Sequence, residues 1–265
     1  MHGKNNNSTH TPLSWSLAPE TLTIDSNEIH VWRADLNITS DLLHKYHKLL
    51  SSDEQDRSAR FKFQKDRERF IAAHGILRIV LSRYLDIYPD QLRFFSNDYG
   101  KPFLDQPDES GKICFNMSHS KELALFAVSC DRELGIDIEC IRPLDDAEQI
   151  AQRFFSPREI EQLRALPEHM RNEGFFHCWV RKEAYIKARG KGLYLPLDKF
   201  DVSLSPGEPA QLLDSKDDPR VPSQWSIAGL HVHPDYTAAL AAEGDDWQMK
   251  YWQWSDDGID TDKLL

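Results

Sequence analysis

The sequence predicts an α+β fold made of two similar halves, and three observations point there. A length of 265 residues gives room for two domains of ordinary size. Segments with strand and helix periodicity occur in both halves of the chain. A faint internal echo also links them: Arg60-Phe61 precedes a helical stretch opening near Arg69-Phe70, and Arg153-Phe154-Phe155 precedes one opening near Phe175-Phe176. Two α+β halves packed as a pseudo-dimer would explain that echo. The expected division is a disordered polar tail over residues 1–12, an N-terminal half over 13–117 and a C-terminal half over 118–265.

Each element has a local reason. Glu28 to Leu36 alternates apolar and polar residues, as a strand does. A helical stretch from about Asp41 to Ser51 leads into a basic region. Phe70 to Leu85 places Ile71, Gly75, Ile76, Ile79, Val80, Arg83 and Tyr84 near helical spacing, and Pro89 closes the segment. Leu92 to Phe95 reads as a short strand before an Asn97-Asp98-Tyr99-Gly100 turn. Leu123 to Ser129 and Leu134 to Ile138 read as neighbouring strands joined by Cys130-Asp131-Arg132. Pro157 to Leu166 is a helix with Ser156 as N-cap and proline in its first position. Gly174 to Arg189 is a second helix. Late strands follow at Phe200 to Leu204, Trp225 to His231, Thr237 to Ala242 and Gln248 to Trp254.

Composition excludes some functions. A net charge of −11 argues against a general nucleic-acid binder. Charges break every long apolar stretch, so no membrane span is expected, and the polar start lacks the order of a signal peptide. Cys114, Cys130, Cys140 and Cys178 show no C-x-x-C spacing, which fits a reducing cytoplasm. The cations are concentrated: Arg57, Arg60, Lys62, Lys65, Arg67, Arg69, Arg78 and Arg83 in one run, against Asp56, Asp66 and Glu68, and Arg181, Lys182, Lys187, Arg189 and Lys191 in another, interrupted by Glu183. Such runs build a local anion pocket or simply two solvated helix faces.

Four short motifs bear chemistry. In Gly135-Ile136-Asp137-Ile138-Glu139, strand alternation sends the isoleucines one way and both carboxylates the other. Paired acids repel unless a cation compensates, and Mg²⁺ suits such oxygen donors. An ordinary strand with a wet acidic face gives the same pattern. On the Trp179 to Lys187 helix, Phe176, Trp179, Val180, Glu183 and Lys187 share a face. There Glu183 needs a partner, which an i to i+4 bridge to Lys187 would supply. Phe115-Asn116-Met117-Ser118-His119-Ser120 reads as a polar cluster before a strand, able to offer hydroxyl, N–H and imidazole to a phosphate, or as a plain turn. Gly100-Lys101-Pro102 is a turn carrying a lysine, not a P-loop.

In order, G-K-P, F-N-M-S-H-S, G-I-D-I-E, R-F-F-S-P-x-E and W-x-x-K-E-A-x-x-K closely resemble the 4′-phosphopantetheinyl transferases. The resemblance runs from about Arg69 to Pro196, and G-K-G-L-Y-L-P-L from Gly190 to Leu197 extends it. Chain length resembles the large, Sfp-like, monomeric class, in which one chain holds two similar halves. The resemblance implies transfer of the phosphopantetheine arm of coenzyme A to a serine of an apo-carrier protein (acyl, peptidyl or polyketide), leaving adenosine 3′,5′-bisphosphate. It implies Mg²⁺, or Mn²⁺ in its place, on Asp137, Glu139 and Glu183. It implies catalytic roles for Glu183, Lys187 and His119. Coenzyme A would meet Arg69, Gly100, Lys101, Pro102, Ser118, His119, Lys182 and Lys187. Upstream, Glu54 or Gln55 stands where the family has a lysine, and Arg57 takes the next basic place. Two other readings use the same acids: a magnesium-dependent nucleotide hydrolase, which needs no acceptor protein, and a non-catalytic coenzyme A or carrier-binding protein. No functional residue is expected after Gly207.

Overall fold

The computed structural model describes residues 14–106, 111–216 and 218–256, so the tail expected at 1–12 lies outside the described residues. In chain order the N-terminal half holds β1 (Ser16–Leu17), β2 (Glu28–Asp35), α1 (Ser40–Leu49), α2 (Ser52–Ala59) and α3 (Gln64–Leu85). The short strands β3 (Phe94–Ser96) and β4 (Pro102–Leu104) follow, then β5 (Ile113–Ser120) and β6 (Leu123–Cys130). The C-terminal half holds β7 (Leu134–Cys140), α4 (Ala147–Phe154), α5 (Pro157–Ala165) and α6 (Glu168–Arg189). It continues with β8 (Phe200–Val202), β9 (Leu212–Ser215), α7 (Val221–Gln224), β10 (Trp225–Leu230), β11 (Tyr236–Glu243) and β12 (Gln248–Gln253).

The halves repeat one plan. Each runs from a strand through two short helices to a 22-residue helix, then a two-stranded ribbon, then two more strands. The sheets repeat as well: β2-β6-β5 in the first and β7-β11-β10 in the second, each in the order first, third, second. The first sheet gains β1 and β12 on its far side. Thus the α+β pseudo-dimer expected from the weak echo is the observed architecture.

The same fastening recurs in both halves. Ser51 and Glu54 form a capping box at α2, and Ser156 and Glu159 form one at α5. Each capping glutamate then pairs with a buried cation on the long helix: Glu54 with Arg78 at 2.6 Å, Glu159 with Lys182 at 2.8 Å. Each cation also donates to two carbonyls of the segment after its helix, Pro89 and Leu92 for Arg78, Leu197 and Phe200 for Lys182. One ion pair therefore ties three segments together in each half.

Three apolar clusters fill the fold. One lies between α3 and the first sheet, around Trp32, Ile76, Val80 and Phe126. A second surrounds α6, with Phe175, Val180, Tyr185 and Phe200. The third, with Val31, Leu125, Ile136, Ile138 and Leu240, joins the two sheets face to face. Apolar burial across that third cluster is what holds the halves together.

Two expectations need correction. Leu123–Cys130 and Leu134–Cys140 are strands, but they do not pair: β6 lies between β2 and β5, while β7 joins β11. The connection through Cys130-Asp131-Arg132 is a crossover between sheets. The boundary placed between residues 117 and 118 falls inside β5, which belongs with β6 to the first sheet. Conversely β12, at the end of the chain, pairs with β2 of the first half.

Candidate active site at the seam between the halves

β5 ends the first sheet and β7 ends the second, and the two strands run beside each other without a backbone ladder. Side chains bridge them instead. Asn116 Oδ1 accepts from the Ile136 N–H at 2.9 Å, and Ser120 Oγ accepts from the Cys140 N–H at 3.1 Å. The Ser118 hydroxyl donates to Asp137 at 2.8 Å, and that of Ser120 to Glu139 at 2.9 Å. Strand alternation explains the set: Asn116, Ser118 and Ser120 face β7, while Phe115 and Met117 belong to the core under α3. The segment expected as a polar cluster before a strand is therefore the strand itself. Asn116 and Ser120 were not singled out as site residues. Their signal was present in the polar-every-second-residue pattern continuing through Ser120.

On β7, Ile136 and Ile138 are buried in the inter-sheet cluster and Asp137 and Glu139 turn the opposite way, as alternation requires. Gly135 explains how α6 comes close enough to join them. A Cβ built on Gly135 would lie 2.2 Å from the Ala188 nitrogen and 2.3 Å from the Ala184 carbonyl oxygen, so only glycine allows the contact. From α6, Lys187 Nζ reaches Asp137 Oδ1 at 2.6 Å and Ser118 Oγ at 3.1 Å. Lys187 thus answers a carboxylate on β7, where an i to i+4 bridge to Glu183 was the simpler expectation.

The acids feel one another. Burial first, and then Asp137 and Glu139, push the Glu183 carboxyl up to about 7, with Lys187 opposing. Burial also raises Glu139, against the hydrogen bond from Ser120, and Asp137 adds repulsion. Asp137 Oδ1 is doubly engaged, yet its buried Oδ2 has no partner. Such an atom is costly unless a cation or donor arrives. Among the described residues no group of His, Cys, Asp or Glu is closed up as a ready-made metal shell. Hard oxygen donors, one of them orphaned, still fit Mg²⁺, which takes one or two carboxylates and fills its remaining positions with water and substrate phosphate.

Basic side chains stand around this acid cluster. His119 leaves β5 on the α3 side, and desolvation first, then the neighbouring His74, Lys187 and Arg69, lower its pKa and disfavour its charged form. Arg69 donates to Glu122 at 2.7 Å and keeps a buried Nε without a partner. Lys101 and Pro102 line a cleft of about 330 Å³ with Phe103, Cys114, Arg189 and Trp225. Lys101 Nζ is engaged there by Glu133 and by the carbonyls of Leu134 and Ala188, at the first residue of β7 rather than beside the carboxylates. Gly100, with φ +87°, turns the ribbon between β3 and β4.

Lys182 requires a correction. It was expected on a coenzyme A phosphate, but its ammonium is fully buried against Glu159 and two carbonyls. At about 100° per residue, Lys182 points roughly 140° away from Lys187 around α6. It therefore faces the second core instead of the seam.

The comparisons with known proteins agree with this geometry. Residues 133–241 match the 4′-phosphopantetheinyl transferase superfamily, and residues 17–131 match the N-terminal domain of 4′-phosphopantetheinyl transferases. Those ranges meet at the crossover between β6 and β7. The chain is 42% identical over 242 residues to the 4′-phosphopantetheinyl transferase HetI of Nostoc sp., covering 91% of this chain and 98% of HetI. It is 32% identical over 214 residues to the 4′-phosphopantetheinyl transferase Sfp of Bacillus subtilis, covering 80% of this chain and 91% of Sfp. With its two sheets meeting at an acid-lined seam and relatives aligned over nearly their whole length, the chain belongs to the 4′-phosphopantetheinyl transferase family.

Proposed function

We propose that this protein moves the phosphopantetheine arm of coenzyme A onto a serine of an apo-carrier protein. The observation that carries the reading is the meeting of Asp137, Glu139, Glu183 and Lys187 at the seam of a chain in this family. The serine Oγ forms a bond to the phosphorus bearing the pantetheine arm. The P–O bond of the pyrophosphate breaks, and adenosine 3′,5′-bisphosphate leaves. Glu183, on α6 beside Asp137 and Glu139, is the acceptor we assign to the serine proton, directly or through a water. Lys187 orients Asp137 and carries positive charge toward the leaving phosphate. Ser118 and His119, with Arg69, line the approach for the coenzyme's other phosphate oxygens.

Asp137, Glu139 and Glu183 would hold Mg²⁺ or Mn²⁺. When bound, the ion supplies charge neutralisation on the pyrophosphate. The acid-lined seam lies within one chain, which supports a monomeric enzyme. Among the described residues no helix is long and apolar enough to cross a membrane. The acidic net charge supports an enzyme without a nucleic-acid partner, and four cysteines with no C-x-x-C spacing support a cytoplasmic one.

The test weighs an apo-carrier by intact mass spectrometry after incubation with the protein, coenzyme A and Mg²⁺. We expect a gain of one phosphopantetheine, lost with EDTA or with Glu183→Gln. No gain on acyl, peptidyl and polyketide carriers, despite measured coenzyme A binding, would overturn the reading.

A further inference from the structure

The first half of the chain holds an acid of the second through a hydroxyl whose direction is fixed. Ser120 Oγ accepts from the Cys140 N–H at 3.1 Å, so its single proton goes to Glu139 Oε2, 2.9 Å away. The oxygen itself has little freedom. Ser120 is the last residue of β5, paired with Leu123 across a two-residue turn in which Lys121 adopts φ +49°. The hydroxyl therefore reaches β7 from a fixed point on the other sheet.

Glu139 is the acid that needs such a holder. Asp137 is short and its side chain is 7% exposed, and Lys187 and Ser118 both bind its Oδ1. Glu139 has a further rotatable bond and its side chain is 30% exposed. Arg142 stands beside it at 3.9 Å, on the same Oε2 as Ser120 and beyond hydrogen-bond reach. Released from Ser120, the carboxylate would turn freely, and ordering it again around an ion would cost side-chain entropy. The two acids are held alike. Ser118 and Lys187 engage Oδ1 of Asp137 and leave Oδ2 without a partner, while Ser120 and Arg142 approach Oε2 of Glu139 and neither touches Oε1. Each acid is thus tied through one oxygen, to which a serine of β5 donates.

We propose that Ser120 is a positioning residue for the divalent cation, acting through Glu139. Its hydroxyl presets the Glu139 carboxylate, so the affinity for the ion is set by the first half of the chain as well as by the second, which supplies the acids. The inference rests on the reading of Asp137, Glu139 and Glu183 as the residues that hold the ion.

Titration of the full chain with Mn²⁺, alone and with coenzyme A, tests this, the free ion being counted by electron paramagnetic resonance. The variants are Ser120→Ala and Ser120→Thr, which keeps the hydroxyl and suits a strand. Ser120→Ala should bind Mn²⁺ about tenfold more weakly, the loss expected when a group that orients a metal-binding carboxylate is removed, and Ser120→Thr should stay within about twofold. Affinity of Ser120→Ala within about twofold of the unsubstituted chain overturns the inference. So does an equal loss in Ser120→Thr, which would trace the effect to packing instead of the hydroxyl. A Ser120→Ala protein that is unfolded at the titration temperature makes Ser120 a part of the fold and overturns it too. A chain that binds Mn²⁺ with the expected pattern but modifies no carrier refutes the transferase reading and leaves the result for Ser120 standing. An unsubstituted chain that binds no Mn²⁺ in either titration overturns the inference, and a carrier that still gains phosphopantetheine would then keep the transferase reading without it.

Discussion

Replacing Lys182 with methionine should damage the fold and spare coenzyme A binding. The lysine and Glu159 are both fully buried, 2.8 Å apart, and the ammonium also satisfies the carbonyls of Leu197 and Phe200 at 2.7 and 2.6 Å. Burial pushes the Glu159 carboxyl up, and the Lys182 charge is what opposes it. Removing one member of such a pair leaves the other uncompensated, a loss of about 3–5 kcal/mol. In a chain of this size that lowers the thermal midpoint by about 10 °C. Urea unfolding at pH 7 measures the first figure and calorimetry the second. Adding Glu159→Leu to Lys182→Met should recover only the part of the loss that comes from the unpaired carboxylate, because the Leu197 and Phe200 carbonyls and the Ser156 and Val202 N–H groups are then left without these partners. The KM for coenzyme A should stay within about twofold in any variant still folded at the assay temperature. A Lys182→Met protein of unchanged stability but with a tenfold higher KM would refute this placement of Lys182 and return it to the coenzyme site.

Two other outcomes follow from the same geometry. Burial alone would raise the Glu54 carboxyl, but its bonds to His74, Arg78 and the Ser51 N–H overcome that and hold it at about 2, below the ordinary 4.5. The folded-state value is depressed, so the stabilisation is complete above about pH 4.5 and is lost as pH falls toward 2. It amounts to about 3 kcal/mol, and Glu54→Gln should flatten the urea midpoint over that range if the account is right. Gly135→Ala should force α6 away from β7, because the new methyl would stand 2.2 Å from the Ala188 nitrogen. The expected loss is about 1–3 kcal/mol of stability together with most of the transfer rate, since the 2.6 Å contact of Lys187 with Asp137 depends on that approach. A fully active Gly135→Ala enzyme would disprove the dependence.

What could be read from the sequence was whatever depends on local period. The alternation through Gly135 to Glu139 fixed which side chains share a face, and the structure keeps Ile136 and Ile138 inside and both acids toward α6. Helical spacing likewise put Glu183 with Lys187. The same spacing did not tell that Lys182, one residue from Glu183, is committed to the core. That depends on Glu159, whose capping box brings a carboxylate to that side of the helix. β5 was obscured for a related reason. Asn116, Ser118 and Ser120 look like a wet face, but their partners are the backbone and acids of β7 in the other half. Pairing between distant strands carries no local signal, so the crossover after β6 and the return of β12 to β2 were not legible. The two S-x-x-E boxes, at Ser51 and Ser156, marked the internal repeat more clearly than the Arg-Phe echo did.

That return of β12 governs how the protein can be made and divided. Lying parallel to β2, β12 and the residue after it bring Trp252 and Trp254 against Trp32, where they help to complete the first core. During synthesis the N-terminal half therefore emerges with the flank of β2 bare, and it stays so until residues 248–254 leave the ribosome, after the whole C-terminal half. Cutting the gene at the crossover near residue 132 would not release two independent modules, because one would lack a strand and the other would trail it. A circular permutant that starts at β7 and joins β12 to β1 through a linker would make every strand of the first sheet contiguous in sequence, and its first half could close as it is made.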